Sequence, residues 1–490
     1  MNEKVVVALD LGTTGNRAIA FNKKGEPVAK SYYELPQYFP KAGWVEHDPL
    51  ELYGTALKAL KDVIASAGAQ NISSIGITNQ RETTVIWDKR TGKPVYNAIV
   101  WQCRRSEIIC SELKGLAGLF KEKTGLFLDP YFSGTKIKWI LDNVEGARKK
   151  AEAGELMFGT PDTWVLWNLT AGKAHATEPS NASRTLIYNI NSLSFDKELL
   201  DILSIPANIL PQVKDSDAFF GNTDKSVTGV EIPVHGILGD QQASLYAHHG
   251  WEKGTAKATY GTGIFILTNT GEKPFSSPAL ISTIASKTKE GVSYALEGSI
   301  FTGGAAVQWL RDNLEIIGSA SETEKMACSL EGNENIYLVP AFHGLGAPHW
   351  DPNARGLLIG ITRKTSIENI ARAVIESMAY QVKDVAEEMK KAFGADFAKL
   401  RVDGGACANN FLMQFQSDIL GFPVERPKII ETTALGAAGI SAIASGFWTR
   451  SEFQSIMSVE NIFKPAMNPE KSASLYAYWQ KAVERSKNWV

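Results

Sequence analysis

The residues of this chain equipped for chemistry stand where apolar runs stop. Val5-Val6-Val7-Ala8-Leu9 gives way to Asp10-Leu11-Gly12-Thr13-Thr14, and Arg17-Ala18-Ile19-Ala20-Phe21 resumes an apolar run. An apolar run ending at a carboxylate reads as a buried strand reaching a polar edge. Strand, Gly/Thr turn and strand make a hairpin whose tip offers N–H and O–H donors to phosphate oxygens. Asp10 beside it can hold a magnesium ion through water. Residues 256–260, Gly261-Thr262-Gly263 and Ile264–Leu267 repeat the pattern. Asp403-Gly404-Gly405-Ala406 follows another short apolar run, and a glycine pair at a strand-to-helix turn lets a ligand approach the backbone. Each turn also has a plainer reading, as a tight bend made by glycine for steric reasons.

Other strand ends deliver side chains. Residues 72–78 run into Asn79-Gln80-Arg81-Glu82, and Ile237-Leu238-Gly239 ends in Asp240-Gln241-Gln242. Four consecutive polar residues are costly inside a sheet, so they belong at strand ends facing a cleft, the usual place for sites in α/β folds. The Walker A pattern, the dinucleotide fingerprint and the protein-kinase set are all missing. Glycine turns plus strand-end carboxylates suit phosphoryl transfer, which needs held phosphates, a metal, an oriented nucleophile and a base. Glu82 sits beside Arg81 and reads as half of a hydrogen-bonding clamp. Asp240 has no cationic neighbour in sequence and is the better base. Taken singly, Arg81–Glu82 is equally a structural ion pair and Asp240 a strand-end cap.

The elements that must position these groups are legible in outline. Asp48-Pro49 opens a helix that Gly68 ends, with Leu50, Tyr53, Leu57, Leu60 and Ile64 as its apolar face. Thr365-Ser366-Ile367-Glu368 is a capping box opening a helix with Ile367, Ile370, Val374, Met378, Val382, Val385 and Met389 on one face. Residues 177–184 form a polar loop, and His248-His249 mark a helix end. The two Gly/Thr hairpins each open a half of similar length, which points to a duplicated α/β architecture, residues 1–248 and 249–490, with a cleft between.

Composition excludes several classes. A net charge of −2 offers no field for nucleic acid or an anionic membrane. Cys103, Cys110, Cys328 and Cys407 are too scattered for a disulfide framework and read as buried free thiols. The start lacks a secretory pattern and no run approaches the roughly 18 apolar residues of a membrane span, so a cytoplasmic protein is expected.

The runs Asn79–Glu82, Trp101-Gln102-Cys103-Arg104-Arg105, residues 129–136, Asn181–Thr185, Gly239–Gln242, Tyr260–Gly263 and Gly344–Pro348 together resemble the FGGY family of carbohydrate kinases. The Arg81 and Trp101 runs narrow the resemblance to its glycerol-phosphorylating members, and it extends to about residue 450. It implies two actin-like (ribonuclease H-like) domains, ATP and Mg2+ as cofactors, glycerol as substrate and a homo-oligomer, dimer or tetramer. Carried over, it implies that Arg81, Glu82, Tyr131, Asp240 and Gln241 hydrogen-bond glycerol and that Trp101 and Phe265 flank its carbons. Asp240 would be the base, Asp10 would hold magnesium, and Thr13, Thr14, Gly15, Arg17 and Thr262 would lie at the ATP phosphates. Gly304, Gln308, Gly405 and Asn409 would line the nucleoside pocket.

The departures are few. Leu11 stands where many of these members have Gln, and Gly15 where some have Ser. Residues 221–231 lack the Gly-Gly-x-Gly-x-Arg loop that some members use for fructose 1,6-bisphosphate. They also lack a histidine for regulatory phosphorylation, His235 lying beyond, so neither control is expected. A kinase for a larger polyol or ketose, and a non-catalytic ATP switch, are the alternative readings.

Overall fold

In a computed structural model of the chain, which describes residues 3–393 and 397–490, Val5–Leu11 is a fully buried strand inside a six-stranded sheet. Seven consecutive apolar or strand-end residues with helices on both sides have no polar face to offer, which is why the strand is central. It runs parallel to Ile72–Asn79, which runs parallel to Pro233–Gly239. Asp10 lies opposite Thr78 and Gly239 opposite Asn79. The carboxyl ends of three strands therefore align and bring Asp10, Gln80–Glu82 and Asp240 to one rim.

A seven-stranded sheet repeats the plan. Ala256–Tyr260 pairs antiparallel with Ile264–Gly271 and parallel with Leu400–Asp403. Leu400–Asp403 runs parallel to Val424–Pro427, and an antiparallel edge strand, Val459–Phe463, closes that side. The first sheet has the same order, ending in the antiparallel edge Phe219–Asn222. The duplicated α/β architecture is thus present. Thr259 faces Asp403 in register, so the turn at Gly261 and the turn at Gly404 are neighbours.

Helix faces differ from the expected stripes. Asp48 caps the helix Pro49–Ala67 by accepting from the Leu50 N–H at 2.7 Å. Its buried face, however, is Leu52, Ala56, Ala59, Leu60, Val63 and Ile64, while Leu50 is 58% exposed. Counting only large apolar residues misses the alanines that let the helix axis approach the sheet. The helix Ile367–Phe393 buries Val374, Met378, Val382, Val385 and Met389 but exposes Ile367. Its start is tied one residue later than the expected box: the Ser366 N–H and hydroxyl both donate to Asn369 Oδ1, at 3.0 and 3.2 Å.

The small-residue helix Thr432–Ala444 packs on the first sheet, although it lies in the second half of the chain. A β-carbon at Gly436 would run into the Ala243 carbonyl oxygen, and one at Gly76 into the Ala437 carbonyl oxygen. The helix is wedged between the first sheet and the helix Asp240–Ala247, and only glycine and alanine permit that spacing. The thiols are free, as expected, but Cys328 is exposed at the end of the helix Glu322–Cys328. Among the described residues no helix is long and apolar enough to cross a membrane.

Candidate active site

Arg81 and Glu82 leave the Ile72–Asn79 strand adjacent in sequence and pair only loosely with each other. Arg81 Nε is 3.9 Å from Glu82 Oε1. Instead both residues reach other partners. Arg81 donates through Nη1 and Nη2 to Glu297 of the second sheet at 2.5 and 3.1 Å, and through Nη1 to Gln242 Oε1 at 3.2 Å. Arg184 donates to Glu82 Oε1 at 2.6 Å and to Glu297 Oε1 at 2.9 Å. All four charged side chains are buried, which is tolerable only because each charge is paired and hydrogen-bonded. Burial works against the charge on Glu297, but Arg184 and Arg81 hold its carboxyl down to about 2. At Glu82 burial outweighs Arg184 and Arg81, and the carboxyl lies above its ordinary value.

Glu82 adopts φ 60, unusual for a residue with a side chain. Its carbonyl accepts from Ser133 Oγ at 2.9 Å, Thr84 Oγ1 at 3.2 Å and Lys136 Nζ at 3.3 Å, which fixes the turn. Asp240 begins the helix Asp240–Ala247, and its carboxylate is about one-third exposed. Arg81 Nε lies 3.1 Å from Asp240 Oδ1. The absence of a cationic neighbour therefore holds in sequence and fails in space. Trp101 meets Tyr131 and Phe265 edge to face, with ring centroids 5.7 and 6.1 Å away. The site thus has a wall of three rings and a rim of Arg81, Asp240 and Glu82. Gln241 follows Asp240, but its Oε1 is turned to Lys257 Nζ at 2.6 Å.

The first hairpin is tied to this wall, Trp101 Nε1 donating to Thr13 Oγ1 at 3.0 Å. Thr14 is exposed at the tip. Arg17 Nε lies 3.3 Å from Asp10 Oδ2. At Gly15 a β-carbon would collide with the Tyr32 ring, so glycine here makes room for that ring. Burial pushes the Asp10 carboxyl up to about 6, against the pull of Arg17, with Asp240 and Glu431 raising it further. A carboxyl crowded by two others and raised in this way suits a divalent cation. Among the described residues no cluster of three or more His, Cys, Asp or Glu could hold an ion alone. So few carboxylates fit a cation that keeps several of its own waters, as magnesium does.

A second cleft, of about 390 Å³, gathers Gly261, Thr262, Gly304, Gln308, Gly405 and Asn409. The hairpin closes through Gly261 N–H on the Gly263 carbonyl, and the start of the helix Gly304–Asp312 docks on it through Gly304 N–H to the Gly261 carbonyl, both 2.9 Å. Gly404, at φ 87, packs against the Tyr260 backbone, whereas a β-carbon at Gly405 would meet open space. Asn409 also caps the helix Asn410–Leu420, its Oδ1 accepting from the Leu412 N–H at 2.9 Å. The structure thus brings Thr262, Gly304, Gln308, Gly405 and Asn409 into one cleft, and ties Thr13 of the first hairpin to the aromatic wall.

Glu297, Arg184, Gln242 and Lys257 are not among the residues expected at the site. The expected polar loop at 177–184 is a buried turn, its helix Pro179–Ala182 capped by Glu178. A usable signal existed in Arg184, which ends a run of polar residues too short of glycine and proline for a solvent loop. The paired histidines do end their helix, and His248 Nε2 lies 2.9 Å from Asp403 Oδ2.

Comparison with known proteins adds to this geometry. The N-terminal domain of the FGGY family of carbohydrate kinases matches residues 5–247, and the C-terminal domain matches residues 256–445. The chain is 56% identical to "Glycerol kinase" of Thermoanaerobacter pseudethanolicus and 56% identical to "Glycerol kinase 2" of Thermotoga maritima, with 99% of each chain covered. The crystal structure of Plasmodium falciparum glycerol kinase with ADP superposes with a TM-score of 0.92 at 35% identity, covering 99% of this chain and 98% of that one. A xylulose kinase from Lactobacillus acidophilus, at 22% identity and a TM-score of 0.88, shares the fold.

Proposed function

The chain belongs to the FGGY family of carbohydrate kinases, with that family's two-domain actin-like fold, and from this we propose that it transfers the γ-phosphoryl group of ATP to glycerol, giving sn-glycerol 3-phosphate and ADP. The observation that carries the substrate is the meeting of Trp101 with Tyr131 and Phe265 beside the Arg81 guanidinium, which lies 5.9 Å from the Phe265 ring and pairs with Asp240. Rings that meet edge to face suit the short carbon chain of a small polyol. A closed set of donors and acceptors also rejects a substrate lacking a hydroxyl, because its buried partners would stay unpaired.

Asp240 is the base in this reading. Arg81 Nε lies 3.1 Å from its Oδ1, the carboxylate is about one-third exposed, and it stands on a helix start rather than a loop. Glycerol's attacking hydroxyl gives its proton to Asp240 as its oxygen bonds to the γ-phosphorus and the bond to ADP breaks. Thr13, Thr14, Gly15, Arg17 and Thr262 hold phosphates through hydroxyl, backbone and guanidinium donors. Gly304, Gln308, Gly405 and Asn409 line the nucleoside cleft. Asp10 would hold magnesium, which neutralises phosphate charge during transfer. Residues 1–248 and 249–490 act as lobes whose closure keeps water from taking the phosphoryl group.

A coupled assay of ADP release with glycerol, xylulose and ribulose tests the reading. Glycerol is expected to give the highest kcat/KM by at least a hundredfold. Equal or greater turnover of a ketose, or ATP turnover independent of any polyol, would replace it with the sibling-kinase or ATP-switch reading.

A further inference from the structure

Lys257 is wholly buried in the strand Ala256–Tyr260 and takes no part in the mechanism above. Its ammonium rests on two neutral oxygens, Gln241 Oε1 at 2.6 Å and Thr259 Oγ1 at 2.7 Å. A buried cation held by neutral acceptors is expensive, so its retention asks for a reason beyond packing. The reason lies in what an ammonium does to a carboxamide. Lysine can only donate, so it dictates which end of Gln241 faces it. The carbonyl oxygen turns to Lys257, and the amide nitrogen is left at the other end.

We propose that Lys257 is a positioning residue for substrate recognition: it locks the Gln241 carboxamide so that Gln241 offers glycerol only N–H donors. This rests on the glycerol reading and on Gln241 meeting the substrate. The enclosure otherwise presents the acceptors Asp240 and Glu82 to hydroxyl protons. An amide free to flip would add a third acceptor half of the time and leave a hydroxyl oxygen without its donor.

The same lysine also sits on a path between the two halves of the site. Thr259 Oγ1 is 3.4 Å from Ser244 Oγ, and Ser244 donates to Asp403 Oδ2 at 2.6 Å. His248 and Thr432 share that carboxylate oxygen, at 2.9 and 2.7 Å. Asp403 leads into the Gly404–Gly405 turn of the nucleoside cleft, and Gln241 follows Asp240. Asp403, Asp240 and Glu297 favour the lysine's charge, while Arg81 opposes it and His248 lies within its field. Burial is the largest influence and brings the ammonium down to about 8.

The test compares the parent with Lys257→Met, Gln241→Met and the double variant. Glycerol KM and kcat are read for each, with ATP affinity by calorimetry in the absence of glycerol. Each single variant is expected to raise glycerol KM at least tenfold with ATP affinity within twofold, and the double variant to be no worse than the worse single. In the parent, glycerol KM should rise as pH passes 8, and in Lys257→Met that rise should vanish. A glycerol KM within twofold of the parent in Lys257→Met, or losses that multiply in the double variant, would overturn the assignment. If Lys257→Met does not fold, Lys257→Gln keeps a donor without the charge. It should raise glycerol KM three- to fivefold, and an unchanged value overturns the proposal there too. A parent that does not turn over glycerol sinks the underlying reading, whereas an active parent with an indifferent Lys257 variant sinks the lysine's role alone.

Discussion

Arg81 of the first sheet and Glu297 of the second are joined by two hydrogen bonds, at 2.5 and 3.1 Å, with both side chains buried. Arg184 and Ser299 add two more donors to the same carboxylate, at 2.9 and 3.0 Å. Arg81 also lies 3.1 Å from Asp240, so in the proposed reading the glycerol site depends on how the two sheets sit. Removing the charge leaves two guanidinium groups underpaired in a dry site. Glu297→Gln should therefore lose about 3–5 kcal/mol in urea unfolding and raise glycerol KM more than ATP KM. A loss below about 1 kcal/mol would show that water reaches the cluster.

Asp10 has the opposite sign. Its folded pKa, about 6, stands above the ordinary 3.8 because burial disfavours the charge. The folded protein therefore holds a proton that the unfolded chain has released, and stability falls as pH rises from about 4 to 6. Asp10→Asn should stabilise the ligand-free protein at pH 7 by on the order of 2–3 kcal/mol, with the difference gone at pH 3.5. The same variant should lose at least a hundredfold in magnesium-dependent turnover. Thermal unfolding at the two pH values checks the first part and the coupled assay the second. Equal stability at pH 7 would show that Arg17, 3.3 Å away, already neutralises the cost.

What the sequence made legible is what lies close along the chain. Both Gly/Thr hairpins, the duplicated halves and the Gly404–Gly405 turn follow from apolar runs broken by glycine, and each is present. The cleft residues Thr262, Gly304, Gln308, Gly405 and Asn409 came from a resemblance, and they do share one cavity. Pairings across the fold stayed hidden. Arg81 beside Glu82 is plain in the sequence, but Glu297, the partner of that guanidinium more than two hundred residues on, is not. Arg184 and Lys257, both wholly buried, have no part in the expected site, and the partners of Arg184 lie far along the chain. The helix Pro49–Ala67 misled for a related reason: alanine carries little hydrophobic signal but sets the closest approach.

Two glycines separate packing from function. At Gly436 a β-carbon meets the Ala243 backbone oxygen, which cannot move without shifting the helix that begins at Asp240. Gly436→Ala should cost about 1–3 kcal/mol and lower kcat as well, through that helix. At Gly405 a β-carbon meets nothing in the ligand-free protein. Gly405→Ala should unfold within about 0.5 kcal/mol of the parent but bind ADP about tenfold more weakly, as the methyl group enters the nucleoside cleft. Denaturation and ADP calorimetry on both variants check the contrast, and a stable Gly436→Ala would mean the wedge can relax.

Asp240→Asn tests the base directly. Asparagine keeps the shape and an acceptor oxygen for Arg81 Nε, now 3.1 Å from Oδ1, so the enclosure should persist. The helix Asp240–Ala247 should start normally, since Gly239 and not Asp240 is its cap. What disappears is the ability to accept the hydroxyl proton. General-base removal typically costs about 10²–10⁴-fold, and kcat should fall within that range while ATP affinity stays within twofold. Glycerol binding should weaken modestly, because one charged acceptor becomes a neutral one. If kcat is unchanged, the proton leaves by another route, and Asp240 serves only to orient the substrate.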